Sequence, residues 1–235
     1  IKFNLLFMIR KFYRIIKKLL VLFFVTSVMS VIVLRYLPVY FTPLMGIRVI
    51  EKVKDKRRPK LHHNWVAYNK ISDNLKRAVI ASEDQLFYQH NGFDKKQIQK
   101  SIEDNKKGKR LRGASTISQQ TAKNIFLWPH SSWFRKGLEA YFTVLIELLW
   151  SKDRILHVYL NSIEMGDGVY GAEAVAQHHF NISAQELSRN QSALIAATLP
   201  NPLRFSHKSP SLYVYRRQAF ILEQMRNIKL PERSE

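Results

Sequence analysis

The sequence predicts a mostly α-helical domain behind one N-terminal transmembrane helix. Three observations carry this. Sixteen residues, Leu19 to Leu34, run without a charge. Further along, apolar residues recur at helical spacing behind Ser or Asp residues that suit helix N-caps. No run alternates apolar and polar residues at the period of two that half-buried strands need, and no internal repeat occurs.

The chain has 235 residues, with 38 Lys and Arg against 18 Asp and Glu, a net charge of +20. This length suits one medium domain plus an anchor, with room for a real hydrophobic core. So basic a chain should meet anionic partners: nucleic acid, phospholipid surfaces or phosphorylated substrates. There is no cysteine, which removes disulfides and thiolate metal sites but leaves the compartment undecided. His62-His63 and His178-His179 are adjacent pairs that diverge on a helix, and no His-Glu-x-x-His occurs, so a protein-built zinc site is not expected.

Before the uncharged run stand Lys2, Arg10, Lys11, Arg14, Lys17 and Lys18, with no acid. That bias holds residues 1–18 in the cytoplasm and sends the rest of the chain across. At about 1.5 Å per residue, sixteen residues fall short of a hydrocarbon core of about 30 Å. The span is therefore expected over 19–37, with Arg35 snorkelling to the headgroups. The alternatives are a buried core helix, disfavoured by the one-sided basic flank, and a cleaved signal peptide, disfavoured because Val28-Met29-Ser30 is a poor cleavage site. Residues 38–70 read as a juxtamembrane linker. Its apolar, proline-broken stretch Val39–Met45 suits either the membrane surface or the domain, and Lys52–Lys60 reads as a solvated basic run.

The soluble domain is expected over 71–229, with a short tail at 230–235. Ser72 or Asp73 caps a helix carrying Leu75, Ala78, Val79 and Ser82 at helical spacing, and Glu83 falls in its last turn. Glu83 and Asp84 are adjacent, so on a helix they point about 100° apart. One is then the chemical carboxylate and the other structural, unless both are a solvated helix end. Phe93 to Arg112, with eight Lys or Arg against three acids, reads as a solvated loop or as a positive wall beside an anionic substrate.

Ser115 is the expected cap of a helix with Ile117, Ala122, Ile125 and Phe126 as its buried stripe. Ser118, Gln119, Gln120, Lys123 and Asn124 crowd one side, as a solvent face or as hydrogen-bonding partners for sugars and phosphates. Trp133 opens the next helix. Arg135 and Glu139 share a face there, as an intrahelical ion pair or an anion site. Tyr141, Phe142, Leu145, Ile146, Leu148 and Leu149 predict deep burial, where a Glu is costly unless paired or used.

Ser151 caps a helix with Ile155, Leu156, Tyr159 and Leu160 inward. Met165–Gly171 is a Gly-rich turn without a nucleotide-binding pattern. Helices are expected over Ala172–Phe180, Ala184–Arg189 and Gln191–Leu199, the last stopped by Pro200 and Pro202. An amphipathic helix over Tyr213–Ile228 closes the domain.

Five blocks in this order resemble the peptidoglycan glycosyltransferases of glycosyltransferase family 51, and most closely their monofunctional, membrane-anchored members. They are Glu83-Asp84-x-x-Phe87-x-x-His90-x-Gly92; Gly113-x-Ser115-Thr116-x-x-Gln119-Gln120; Arg135-Lys136-x-x-Glu139; Lys152-x-x-Ile155-Leu156-x-x-Tyr159-Leu160-Asn161; and Gly171-Ala172-Glu173-Ala174 leading to Phe180. The resemblance covers about Trp65 to Asn227 plus the anchor. Two positions depart from it: Asn181-Ile182 stands where the family usually has Gly-Lys, and His157 replaces a common Glu. A monofunctional enzyme is expected, since no Ser-x-x-Lys block follows the domain.

The resemblance implies a lysozyme-like fold and a reaction that polymerises lipid II into β-1,4-linked glycan strands, with inversion and release of undecaprenyl diphosphate. Glu83 would be the general base. Glu139 would orient the basic cluster or hold a divalent cation, Mg²⁺ or Mn²⁺, on the diphosphate. Substrate contacts are implied at Ser115, Thr116, Gln119, Gln120, Lys123, Asn124, Arg135, Lys136 and Lys152. The implied partners are lipid II, the nascent glycan strand, the membrane and cell-wall synthesis or division proteins, without nucleic acid or an organic cofactor. The implied place is the bacterial inner membrane, single-pass, with the domain outside the cytoplasm and sensitive to moenomycin. The rival readings are a lysozyme-like glycan hydrolase, which needs a neutral carboxylic acid that a Lys- and Arg-ringed cleft disfavours, and a non-enzymatic binder of anionic polymers.

Overall fold

The computed structural model of the protein describes residues 2–106, 115–205, 207 and 209–231. The chain divides into two units, Ile1–Leu37 and Pro38–Glu235. The first is helix α1, Lys2–Tyr36. Residues expected to form a separate basic tail continue the same helix, because Arg and Lys are good helix formers. Its stretch Arg10–Tyr36 is long and apolar enough to cross a membrane. The hydroxyls of Thr26, Ser27 and Ser30 donate to the carbonyls of Leu22, Phe24 and Ser27. Each is thus satisfied by its own helix, as an apolar surrounding requires.

In the second unit, the expected linker is largely part of the domain. Thr42 caps α2, Pro43–Lys54, by accepting from the Met45 amide. Pro43 sits at the start of the helix, where the missing N–H has no partner to lose. Met45 is fully buried, and α2 packs on the helix over Ile117–Phe126. Within Val39–Met45, Val39, Thr42 and Met45 are buried in the domain, while Tyr40 and Phe41 are exposed. Lys52, expected in solvent, is buried and paired with Asp167 at 2.6 Å.

A small three-stranded sheet follows, formed by β1 (His62–His63), β2 (Glu164–Gly166) and β3 (Val169–Tyr170) in the order β1-β3-β2. β3 runs parallel to β1 and antiparallel to β2. Strands of two or three residues are too short to show a period of two, so the expected Gly-rich turn proves to be a β-hairpin.

The helices that carry the site are α3 (Asp73–Glu83, capped by Ser72), α4 (Lys95–Lys106), α5 (Ile117–Phe126), α6 (Trp133–Leu149) and α7 (Lys152–Ser162, capped by Ser151). They are followed by α8 (Ala172–Phe180), α9 (Arg189–Thr198) and α10 (Leu212–Gln224). α3, α9 and α10 pack together, and α5 packs on both α6 and α7. Leu75, Val79, Ile117, Ile146, Ile155, Leu156 and Tyr159 are almost fully excluded from solvent in this core.

Four expectations are corrected. The basic stretch from Phe93 is helical over α4; its remainder, 107–112, and Gly113 of the second block lie outside the described residues. No helix forms over Ala184–Arg189, where side chains satisfy the backbone instead. Glu186 accepts from the Ser183 amide at 2.9 Å and Glu173 from the Ala184 amide at 2.8 Å. α6 is not buried all round: Phe142 and Ile146 are inside, but Leu148 is 75% exposed. The final helix stops at Gln224 and tightens into a 3₁₀ turn over Met225–Asn227.

The fifth block has a backbone explanation. Gly171 has φ +83, and a Cβ there would lie 2.4 Å from the Asn161 carbonyl oxygen. Asn181, which departs from the family pattern, adopts the left-handed conformation (φ 56°, ψ 37°) that ends α8. Asn is the side chain best able to stand in for Gly there.

Candidate active site

Glu83 is the last residue of α3, and the backbone leaves helical geometry at Asp84 (φ −162°, ψ 77°). The two carboxylates therefore part. Asp84, 2% exposed, meets His90 Nε2 at 2.8 Å and accepts from the Ile117 amide at 3.0 Å. It thus places a negative charge on the N-terminus of α5, where the helix dipole favours it. Glu83 stays partly open, its side chain 13% exposed. Its Oε1 accepts from Ser82 Oγ at 2.8 Å and lies 3.5 Å from an Arg217 nitrogen, while Oε2 accepts from Gln120 Nε2 at 3.1 Å. Gln120 is fixed in turn by the buried Tyr159, whose hydroxyl donates to Gln120 Oε1 at 3.1 Å. Arg217 also donates to Ser82 Oγ at 2.8 Å.

Arg217 belongs to no block that the sequence singled out. It lies on α10, and the only signal for it was that an otherwise amphipathic helix carries Arg216 and Arg217 in tandem.

α5 divides its polar residues between structure and site. Its cap is Thr116, one residue beyond the expected Ser115, which is exposed. Thr116 and Gln119 close a capping box, and Thr116 Oγ1 donates to the Gly92 carbonyl at 2.6 Å. Both are buried and have their polar atoms engaged within the protein. Gly92 has φ +87, and a Cβ there would press to 2.8 Å from Thr143 Cγ2 of α6, so only glycine fits this junction. Ser118 donates to Glu147, which also takes Lys152 Nζ at 2.7 Å. Lys152 lies 4.7 Å over the Phe87 ring. Lys152 is thereby paired with Glu147 and packed on Phe87.

Gln120, Lys123 and Asn124 line a cleft of about 220 Å³, closed on other sides by Arg48 of α2, Trp128 and Glu164. Lys123 is half-buried and, among the described residues, its ammonium has neither an ion pair nor a hydrogen bond. Burial pushes its ammonium pKa down; Glu139 opposes that, and Arg135 and Lys136 reinforce it. Glu139 is 3% exposed and sits between cations, with Arg135 Nη1 at 2.7 Å on one oxygen and Lys136 Nζ on the other. The ion pair expected from spacing therefore forms, but buried and three-membered. Lys123, Arg135 and Lys136 give three cations to one carboxylate, an arrangement short of negative charge and suited to an anion.

Among the described residues no three His, Cys, Asp or Glu side chains gather in a metal-binding group. Both oxygens of Glu139 are already held by cations. His157, in place of the family's usual Glu, donates from Nε2 to the Val66 carbonyl at 2.8 Å and packs 4.9 Å from the Trp65 ring.

The sequence model of the transglycosylase family matches residues 48–226. A biosynthetic peptidoglycan transglycosylase of Bacteroides thetaiotaomicron is 57% identical over 217 residues, 92% of this chain and 88% of that protein. One of Pseudomonas syringae pv. syringae is 52% identical over 221 residues, 94% of each chain. One of Bdellovibrio bacteriovorus is 51% identical over 210 residues, 89% of this chain and 84% of that protein.

Proposed function

The chain belongs to the transglycosylase family and is a peptidoglycan glycosyltransferase, and we propose that it polymerises lipid II with Glu83 as the general base. The observation that carries this role is the set of groups around Glu83. Ser82, Gln120 and Arg217 all donate toward it. Such a setting suits a carboxylate that accepts a proton, whereas a glycan hydrolase needs a carboxylic acid that gives one.

In this reading Glu83 takes the proton of the acceptor sugar's 4-hydroxyl. The freed oxygen pair attacks C1 of the donor sugar from the face opposite the leaving group. The C1–O bond breaks with inversion, and its electron pair leaves on undecaprenyl diphosphate. The proton passes from Glu83 to solvent. A diphosphate needs charge stabilisation rather than protonation, and Arg135, Lys136 and Lys123 supply it. Glu139 holds Arg135 and Lys136 in place. Gln120 orients Glu83, and Asn124 is available to the sugars or phosphates in the cleft.

α1 anchors the chain in the bacterial inner membrane, where a lipid-linked substrate resides. Its basic N-terminal half stays in the cytoplasm and the second unit lies outside it, as the charge bias supports. The test is purified protein with radiolabelled lipid II. Polymeric glycan is expected. Release of fragments from finished glycan instead would make the protein a hydrolase, and binding without either product would make it a binder.

A further inference from the structure

Six residues after α1 ends, the chain enters α2, and this helix reaches the substrate cleft. Leu44 and Arg48 line it together with Gln120, Lys123 and Asn124. Arg48 is held in position. Its Nη1 donates to Glu51 at 2.9 Å, and its buried Nε lies 3.5 Å from Glu164. Glu164 is fixed from the other side by the Tyr170 hydroxyl at 3.2 Å. One turn further along α2, Lys52 pairs with Asp167 at 2.6 Å. Two ion pairs thus clamp α2 onto the β2–β3 hairpin.

The clamp leaves part of the guanidinium available. The Arg48 side chain is 32% exposed, and among the described residues its Nη2 has no partner. The same cleft holds Lys123, which forms no close ion pair among the described residues. Glu164 is the one carboxylate among the lining residues, and Arg48 and Tyr170 both engage it. Two cations from different helices therefore face one cleft with less negative charge than they can neutralise.

We propose that Arg48 is a substrate-binding residue that, with Lys123, holds an anionic group of the lipid-linked saccharide, so that α2 forms one wall of the substrate site. This rests on the reading of lipid II as the substrate. The group recognised has at least two oxygens sharing negative charge, the shape a guanidinium binds best. On this substrate that chemistry occurs in the diphosphate and in the peptide carboxylates. The segment directly after the anchor then sets substrate affinity.

The experiment uses the full chain as wild type, Arg48→Gln, Arg48→Lys and Glu164→Gln. It measures KM and kcat on lipid II, direct binding of farnesyl diphosphate and of a free disaccharide-pentapeptide, and Tm. Arg48→Gln is expected to raise KM about tenfold with a much smaller change in kcat, the loss of one charge-assisted contact. Arg48→Lys should recover part of the affinity. Glu164→Gln should keep or tighten it, because Arg48 loses its competing carboxylate. Weakened farnesyl diphosphate binding in Arg48→Gln assigns the diphosphate; weakened binding of the disaccharide-pentapeptide alone assigns the peptide.

The proposal is overturned if Arg48→Gln leaves KM and both probes unchanged. It is also overturned if Arg48→Gln and Glu164→Gln raise KM alike and lower Tm alike, since Arg48 is then only a clamp. A wild-type chain that makes no polymer, yet loses probe binding with Arg48→Gln, would remove lipid II as substrate and leave the anion site standing.

Discussion

Glu83 and Asp84 are adjacent in the chain, yet their carboxylates serve different parts of the molecule: Asp84 receives the Ile117 amide at 3.0 Å inside the core, and Glu83 receives Gln120 at 3.1 Å at the cleft edge. Their substitutions should therefore separate. Glu83→Gln keeps the shape and the hydrogen bond to Ser82 but cannot take a proton. Polymerisation should fall by about 10²–10⁴-fold with Tm nearly unchanged. Retention of more than about a third of the wild-type rate would remove Glu83 from its role. Asp84→Ala should instead cost about 1–3 kcal/mol of stability, read by denaturant unfolding, because it leaves the buried Ile117 amide unpaired and strips His90 of its partner.

Glu139 is a buried carboxylate between two cations, and that changes what its removal does. Glu139→Gln leaves Arg135 buried without its counter-charge, so Tm should fall together with the polymerisation rate. Lys136→Ala removes a half-buried cation. It should lower kcat with little effect on Tm, because charge on the leaving oxygen grows toward the transition state. Equal Tm losses and unchanged kinetics in both variants would make the cluster purely structural.

Lys123 gives the pH profile a sign. Burial, reinforced by Arg135 and Lys136, pushes its pKa below that of a free lysine. As pH rises, its charge is lost earlier than for an exposed lysine, and the alkaline limb of kcat/KM should begin correspondingly early. Lys123→Arg keeps the cation at any working pH. A limb that does not move to higher pH in that variant would assign the ionisation to another group.

His207 makes the fold sensitive to acid. It is buried against Thr198 Oγ1 at 2.7 Å and packs at a tilt with ring centres 4.5 Å from His179. Burial first, and His179 second, hold its pKa down at about 4, against 6.5 for a free imidazole. The unfolded chain then binds the proton more readily than the folded one. Stability from this group is complete above pH 6.5 and is lost as pH falls toward 4, up to about 3 kcal/mol. His207→Gln should flatten the fall of Tm between pH 7 and 4.5; an unchanged slope would sink the assignment.

Residues 1–37 form a unit of their own. Their removal should leave a chain that polymerises lipid II in detergent but more slowly on liposomes, where the anchor confines enzyme and substrate to one plane. Equal rates on liposomes would reduce the anchor to an address.

The sequence alone determined what is written locally. α1 could be read because an uncharged run beside a basic flank is a one-dimensional pattern. α3, α5, α6 and α7 could be read because caps and apolar spacing act within a few residues. The five blocks then led to Glu83, Gln120, Arg135, Lys136 and Glu139, and the polar side of α5 led to Lys123. Only tertiary structure decided which polar residues of α5 face the cleft: Gln120 and Asn124 line it, while Thr116 and Gln119 close on each other one turn earlier. It alone brought Arg217 to Glu83 across 134 positions and Arg48 of α2 to Glu164 of β2. Such pairings are contacts between distant segments, and they leave no periodicity in the chain. β1, β2 and β3 were hidden for a related reason: strands of two or three residues are specified by their neighbours, not by their own pattern.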